Sequence, residues 1–539
     1  MRRRFHDRRR PVKGTTVTTP KAPSSPSERD AAILSDRRFA GHPIGLAFLF
    51  NTELWERFSY YGMRAILLYF IVDTIANGGL GLDQSLGEAI VTTYGASVYL
   101  LTVVGGWAAD RMLGARRATL YGGVVIMAGH ILLSLPMEQT AWLGLILVAF
   151  GTGFLKPNVS TLVSHLYSMK DARRDSAFAI FYMSVNIGSL LAPFVVSALR
   201  MVGGYHLGFL AAAIGMALAL ITLVFGRKQL TSTVDDISNP LSSDDLKKLP
   251  FKFLGIVLAC VAVFFIAAML RGALSEGFTQ EIILGGVVDA ISLVSIALSI
   301  GYFVLMFRSK KVTANERSHL MAYVPLWIGA MLFFMIFEQA AAKMATYAES
   351  RTNLDTGLFV INPELYQSVN PAGIVLLSPL MAVLWVKLAG KFPSTAQKFS
   401  IGVLLAGLSF VFLAITSDMF PGATSPWWIL AVAFLIQTVG ELCLSPVGLS
   451  ATTRMAPRAF ASQAMALWFL TSAVGQSLAA QFISGLEDQS DTVFYWILGG
   501  MTTVFAIALF AMSPWIRRHM ADVELTDAIP TIEDAEKKA

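Results

Sequence analysis

Fourteen apolar runs divide this chain of 539 residues: 44–72, 88–109, 117–135, 141–165, 176–199, 206–226, 253–271, 281–307, 320–348, 367–389, 398–417, 426–451, 460–484 and 492–515. Each is near the roughly 20 residues that a helix needs to cross a hydrocarbon core of about 30 Å. With 55% hydrophobic and 14% charged residues and a mean hydropathy of +0.60, the chain has too little polar surface to cover that much apolar sequence in water. In lipid every spanning backbone must satisfy its own polar groups, which helices do within one segment. The expected fold is an all-α polytopic membrane protein.

Loop charge gives the expected orientation. One alternate set of loops holds Arg111, Arg116, Arg117; Lys170, Arg173, Arg174; Arg227, Lys228, Lys247, Lys248, Lys252; Arg308, Lys310, Lys311, Arg317; Lys387, Lys391, Lys398; and Arg454, Arg458. The other set holds only Arg200, Arg271 and Arg351 near its helix ends. The positive-inside rule makes the first set cytoplasmic, with both termini. An odd number of spans would break the alternation. The net charge of +6 is therefore a matter of topology, and no nucleic-acid partner is indicated.

Residues 1–42, with Arg2-Arg3-Arg4 and Arg8-Arg9-Arg10, contain no early apolar segment and read as a disordered basic cytoplasmic tail that touches anionic lipid. A six-helix bundle is expected over 43–227, a cytoplasmic linker over 228–250, two additional helices over 251–308, a second six-helix bundle over 319–518, and a cytoplasmic tail over 519–539. The additional pair is nearly free of ionisable residues at depth, Asp289 being the exception, and is expected to pack outside the working core. Cys260 and Cys443 both lie in apolar runs, so neither a disulfide framework nor a thiolate metal site is indicated.

The first run contains a costly anomaly. Glu53, Glu56, Arg57, Tyr60, Tyr61 and Arg64 follow the i, i+3, i+4 rule and fall on one helix face. An ionisable group at bilayer depth costs roughly 2.5–3.5 kcal/mol on insertion scales, and such groups face a partner or a watery cavity. The stripe is read as the wall of a polar cavity.

Gly105-Gly106-Trp107-Ala108-Ala109-Asp110-Arg111-Met112-Leu113-Gly114-Ala115-Arg116-Arg117 resembles the loop motif of the major facilitator superfamily, in which small residues allow close helix approach and the charges latch inner helix ends. The Glu-x-x-Glu-Arg-Phe-x-Tyr-Tyr-Gly stripe resembles the signature of the proton-dependent oligopeptide transporter family within it. The segments 151–160, 181–189, 440–450 and 466–470 agree, so the resemblance spans about 40–515. It implies the major facilitator fold, two six-helix bundles plus two extra helices, and a proton-coupled symporter that imports di- and tripeptides across the plasma or inner membrane by alternating access.

A short peptide is a zwitterion with variable side chains, so a general carrier must hold its two ends. Arg57 and Lys156 are expected to take the carboxylate and Glu441 the amine, the roles the resemblance implies for the same positions. Asn186 and Asn370 would bond the peptide backbone, while Tyr60, Tyr61, Tyr99, Trp468 and Ser472 line side-chain pockets; Asn186 alternatively bonds between helices. Glu53, Glu56, Arg57 and Lys156 are expected to couple protons, through exchange of a cationic partner between acid and peptide. Arg64 with Glu338 is the expected outer gate, and Asp110 with Arg111 the inner one. Lys343 departs from the family pattern and is read as a competing partner for Glu338. No cofactor besides the coupling proton and no obligatory protein partner is inferred; the partners are peptide, proton and lipid bilayer.

Nitrate or an amino-acid conjugate is the rival substrate, although a lone anion does not require Glu441. A membrane enzyme would need a nucleophile with its base, or a metal cluster, and the seven histidines are scattered. A channel would need a filter segment, which is not apparent.

Overall fold

Residues 27–520, apart from 169–170, 238, 389–392 and 423, are described by a computed structural model. The arginine clusters of the N-terminal arm, the segment 521–539, Lys170 and Lys391 lie outside the described residues. The main helices are α1 (Ile44–Val72), α2 (Gln84–Ala108), α3 (Ala115–Leu133), α4 (Glu138–Ser164), α5 (174–202), α6 (205–226), α7 (Ser243–Leu270), α8 (Gln280–Arg308), α9 (Ala314–Phe337), α10 (Val369–Lys387), α11 (Thr395–Met419), α12 (Trp427–Met455), α13 (Ala461–Gly485) and α14 (Asp491–Ala511). Helices α5 and α6 form one hydrogen-bonded stretch, Arg174–Gly226, broken at Gly203 and at Gly204, whose φ of 75° is open to glycine without strain. Every expected apolar run overlaps one of these helices, although 320–348 runs past the end of α9. Among the described residues eleven segments are long and apolar enough to cross a membrane. The stretch that holds α5 and α6 counts once there, and neither α1, with four charges in its middle, nor α3, which opens on Arg116 and Arg117, counts.

The helices gather into two groups. In the first, α1 packs along α5 and α6, and α4 against α2 and α3; in the second, α11 packs on α12 and α14, and α9 on α13. The groups meet where α2 runs along α13 and α5 touches α10. Small residues set the spacing. A Cβ built on Gly105 of α2 would lie 2.1 Å from the Gly153 carbonyl oxygen of α4, and one on Gly402 of α11 would lie 2.7 Å from the Gly440 oxygen of α12. Backbone approach of this kind is how membrane helices gain packing without a hydrophobic driving force.

Helices α7 and α8 lie at the periphery. Helix α7 is mostly exposed along its apolar length and packs chiefly on α8, which leans on α13 and α2. Its part-buried charges are paired: Arg271 holds Asp289 at 2.6 Å, and Gln481 of α13 donates to Asp289 at 2.9 Å.

Three expectations need correction. The tail drawn as disordered through residue 42 is ordered from residue 27: a short helix, Glu28–Ser35, buries Asp30 and Ile33. Asp30 accepts from the Ser232 backbone N–H and hydroxyl, and Arg173 donates to the carbonyls of Leu34, Asp36 and Gly41. These polar anchors tie this segment to the first group, at the start of α5 and the chain after α6. The bundle boundaries also move, since α7 begins at Ser243 inside the expected linker and α9 at Ala314, ahead of 319, each behind a side-chain cap from Ser242 or Thr313. Finally, 320–348 is not one helix. After α9 come a 3₁₀ turn, Glu338–Ala341, a break at Ala342 (φ −123°, ψ −106°) and a short helix, Lys343–Ser350.

Candidate functional site

Between the two groups lies a cavity of about 330 Å³, within the range of about 300–1,000 Å³ usual for small-molecule sites. Glu53, Arg57, Tyr61 and Arg64 of α1, Tyr99 of α2, Lys156 of α4 and Asn186 of α5 line its first-group wall. Glu338, Asn370 of α10, Glu441 of α12, and Trp468 and Ser472 of α13 line the other. Residues far apart in sequence thus converge. Glu56 and Tyr60 are buried just behind the lining.

The stripe folds into a compact ionic cluster. Arg57 Nε lies 2.5 Å from Glu56 Oε2 and 3.2 Å from Glu53 Oε1, and all three side chains are at most 6% exposed. Two carboxylates share one guanidinium, so with both acids ionised the trio carries one uncompensated negative charge, which a single proton neutralises. Glu53 Oε2, Glu56 Oε1 and Arg57 Nη2 remain buried without hydrogen-bond partners. That leaves unused capacity on both signs of charge. The expected pairing of Lys156 with these acids is corrected: Lys156 Nζ makes no ion pair among the described residues and sits 3.8 Å from the centre of the Tyr99 ring, a cation–π contact. Arg57 takes the acids because i, i−1 and i, i−4 neighbours on its own helix are nearer than a residue of α4.

On the opposite wall Asn370 Nδ2 donates to Glu441 Oε2 at 2.9 Å and to Thr438 Oγ1 at 3.1 Å. No cation pairs with Glu441 among the described residues. Asn186 donates to the Tyr182 carbonyl of its own helix at 3.0 Å, so it does not bond between helices, and its side chain borders the cavity. Trp468 meets Phe334 edge to face, with ring centres 6.2 Å apart.

Arg64 closes one end. Its Nη2 reaches Glu338 Oε2 at 2.6 Å and the Glu338 carbonyl at 3.0 Å, while Tyr99 and Ser472 hydroxyls donate to Glu338 Oε1 at 3.3 Å. Arg200 of α5 binds Glu364 at 2.7 Å, a second contact between the groups at this end. Lys343 does not compete for Glu338. The break at Ala342 turns it away, and it binds Glu88 at 2.8 Å and Asp491 at 2.7 Å.

At the other end, Asp110 and Arg111 lie in a π-helical turn, Ala109–Leu113. Neither side chain forms an ion pair among the described residues; their carbonyls accept from the N–H groups of Asn239 and Leu241. In the same motif Arg116 pairs with Asp235 of the linker at 2.8 Å.

Sequence reasoning missed several lining residues, notably Tyr182, Gln437 and Phe334. Each stands one turn before an expected residue, Asn186, Glu441 and Glu338, so the i, i+4 rule applied backwards would have found them. Among the described residues no group of three or more His, Cys, Asp or Glu is arranged to hold a metal ion.

A family model described as the POT family matches residues 116–497. The chain is 45% identical over 489 residues to the uncharacterized transporter YclF of Bacillus subtilis (strain 168), covering 90% of this chain and 96% of that one. It is 42% identical to a di-/tripeptide transporter of Lactococcus lactis subsp. lactis (strain IL1403), covering 91% and 99%. A crystal structure of a peptide transporter POT in complex with sulfate superposes with a TM-score of 0.83 at 42% identity, covering 92% and 99% of the two chains. The ionic stripe, the cavity between two helical groups and these likenesses agree: the chain is a multi-pass membrane protein and belongs to the POT family.

Proposed function

We propose that this protein imports di- and tripeptides by proton symport, alternating access to the central cavity between its two six-helix groups. In this reading all fourteen helices span the cell membrane, both termini are cytoplasmic, and protons are the coupling ion. The observation that carries the reading is the polarity of the cavity. Lys156 offers a cation with no carboxylate of its own on one wall, and Glu441 offers an anion with no cation on the other.

A zwitterionic peptide supplies the two missing partners. Its carboxylate goes to Lys156, beside the free Nη2 of Arg57, and its amine to Glu441; Asn186 and Asn370 serve the peptide backbone. Tyr61, Tyr99, Trp468 and Ser472 border the space left for side chains, with Tyr60 supporting Tyr61 from behind through an edge-to-face contact at 5.3 Å. Glu53 and Glu56 hold the proton. When peptide draws on Arg57, one acid loses part of its partner and takes up a proton, which keeps the buried charge balanced. The Arg64–Glu338 pair closes the outer end, and the turn at Asp110 and Arg111 works at the inner end through its hold on the linker. The name of the Lactococcus relative supports the substrate class.

Binding to the purified protein tests the poles. Unmodified protein is expected to bind dialanine at least tenfold more tightly than its C-terminal amide, and Lys156→Gln to lose that preference, because a hydrogen bond to a charged group contributes about 1.5–3 kcal/mol. Equal discrimination in the variant, measured by calorimetry, excludes Lys156 as the carboxylate site.

A further inference from the structure

Lys343 stands outside the proposed binding machinery, yet it is the most heavily engaged lysine at the outer end. Its ammonium lies between two carboxylates, Glu88 at 2.8 Å and Asp491 at 2.7 Å, and its side chain is only 10% exposed. The two acids differ in burial and in ownership. Glu88 is fully buried in the first turns of α2, in the first group. Asp491 is 32% exposed at the start of α14, in the second group, to which Lys343 itself belongs.

The backbone fixes that membership. The Lys343 carbonyl accepts from the Tyr495 hydroxyl of α14 at 3.0 Å, and its ammonium lies 5.5 Å from the Phe494 ring. Lysine and Asp491 therefore travel together. Glu88 is held across the divide, by Lys343 and by the Thr346 hydroxyl at 2.5 Å, with only Gln84 assisting from its own helix at 3.3 Å.

We propose that Lys343 is a two-way latch of the outer gate: it binds Glu88 of the opposite group when the outer end is closed and falls back on Asp491 of its own group when that end opens. The logic is one of desolvation. A fully buried carboxylate requires a cation, so closing the outer end requires Lys343 to meet Glu88. Opening returns Glu88 to water, and Asp491, already in place and about a third exposed, spares the lysine from being stranded. The latch adds a third tie between the groups to Arg64–Glu338 and Arg200–Glu364, and of these three it is the one whose cation is already in ion-pair contact with a second carboxylate. The inference rests on the alternating-access reading.

The two acids must then act in opposite directions, which no merely structural role produces. Spin labels at Ile75→Cys and Leu358→Cys, both on exposed outer loops of different groups, report outer opening in the full-length protein with Cys260→Ser and Cys443→Ala. Glu88→Gln is expected to raise the long-distance population severalfold, and Asp491→Asn to lower it severalfold. Thr346→Val, which leaves every charge in place, shifts the population in the Glu88→Gln direction and serves if that variant does not fold. Shifts of the same sign for the two acids, or none, overturn the latch. The distances are read without transport, so absence of proton-driven uptake by the unmodified protein would refute the transport reading and leave this test standing.

Discussion

Glu56→Gln and Glu53→Gln, reconstituted in liposomes, are expected to exchange peptide across the membrane but not to accumulate it against a gradient. The reason is charge counting in a buried site. Glu53, Glu56 and Arg57 form a trio at most 6% exposed; with both acids ionised it has one excess negative charge, and one proton brings it to neutrality. Replacing either acid by the isosteric amide makes the cluster permanently neutral, so the binding state no longer needs a proton from outside and has none to release inside. Accumulation ratios under an imposed inward proton gradient are expected to fall to about one, while counterflow of labelled against unlabelled peptide survives because Arg57 and Lys156 remain. The free energy of a tenfold gradient is only about 1.4 kcal/mol, so the loss is unambiguous in a filter assay. Full uphill uptake by either variant contradicts the assignment of that acid.

The second large effect belongs to Glu441. This carboxylate faces the cavity with one oxygen held by Asn370 at 2.9 Å, an arrangement that fixes its direction without satisfying its charge. Truncating one partner of a desolvated charge pair costs about 3–5 kcal/mol, so Glu441→Gln is expected to weaken dialanine binding by about a hundredfold or more. The control ligand is propionyl-alanine, which has the shape of dialanine and lacks the amine. Unmodified protein is expected to discriminate strongly between the two, and the variant hardly at all, since the amide keeps the Asn370 contact and loses only the charge. Equal losses for both ligands would mean that Glu441 shapes the cavity without recognising an amine.

The parts of this account that were legible in the sequence share a physical cause. Helical spans follow from runs of about twenty apolar residues, and the first-helix stripe follows from the cost of charge in lipid, so both can be read locally. The same is true of the Gly105 approach to α4, where a small residue in a motif announced a crowded contact. What remained hidden depends on which residues meet across the divide. Glu88, Arg200 and Glu364 look like ordinary helix-end charges in sequence, and only their ion pairs in the fold show that each joins the two groups. Lys343 stood out by its type, but its partners were misread because a break at one residue, Ala342, turned it from Glu338. The strap at 27–42 was missed for a related reason: a short polar helix with little apolar surface has no local signal for docking, and its anchors are Ser232 and Arg173, far along the chain.

Uptake of labelled dialanine by liposomes holding the unmodified protein, with the interior made alkaline, tests the central claim most directly. Accumulation above the external concentration is expected, with collapse of that accumulation by a protonophore, competition by a short tripeptide and none by nitrate. Uptake that is indifferent to the proton gradient, or nitrate uptake in the absence of peptide, would contradict it.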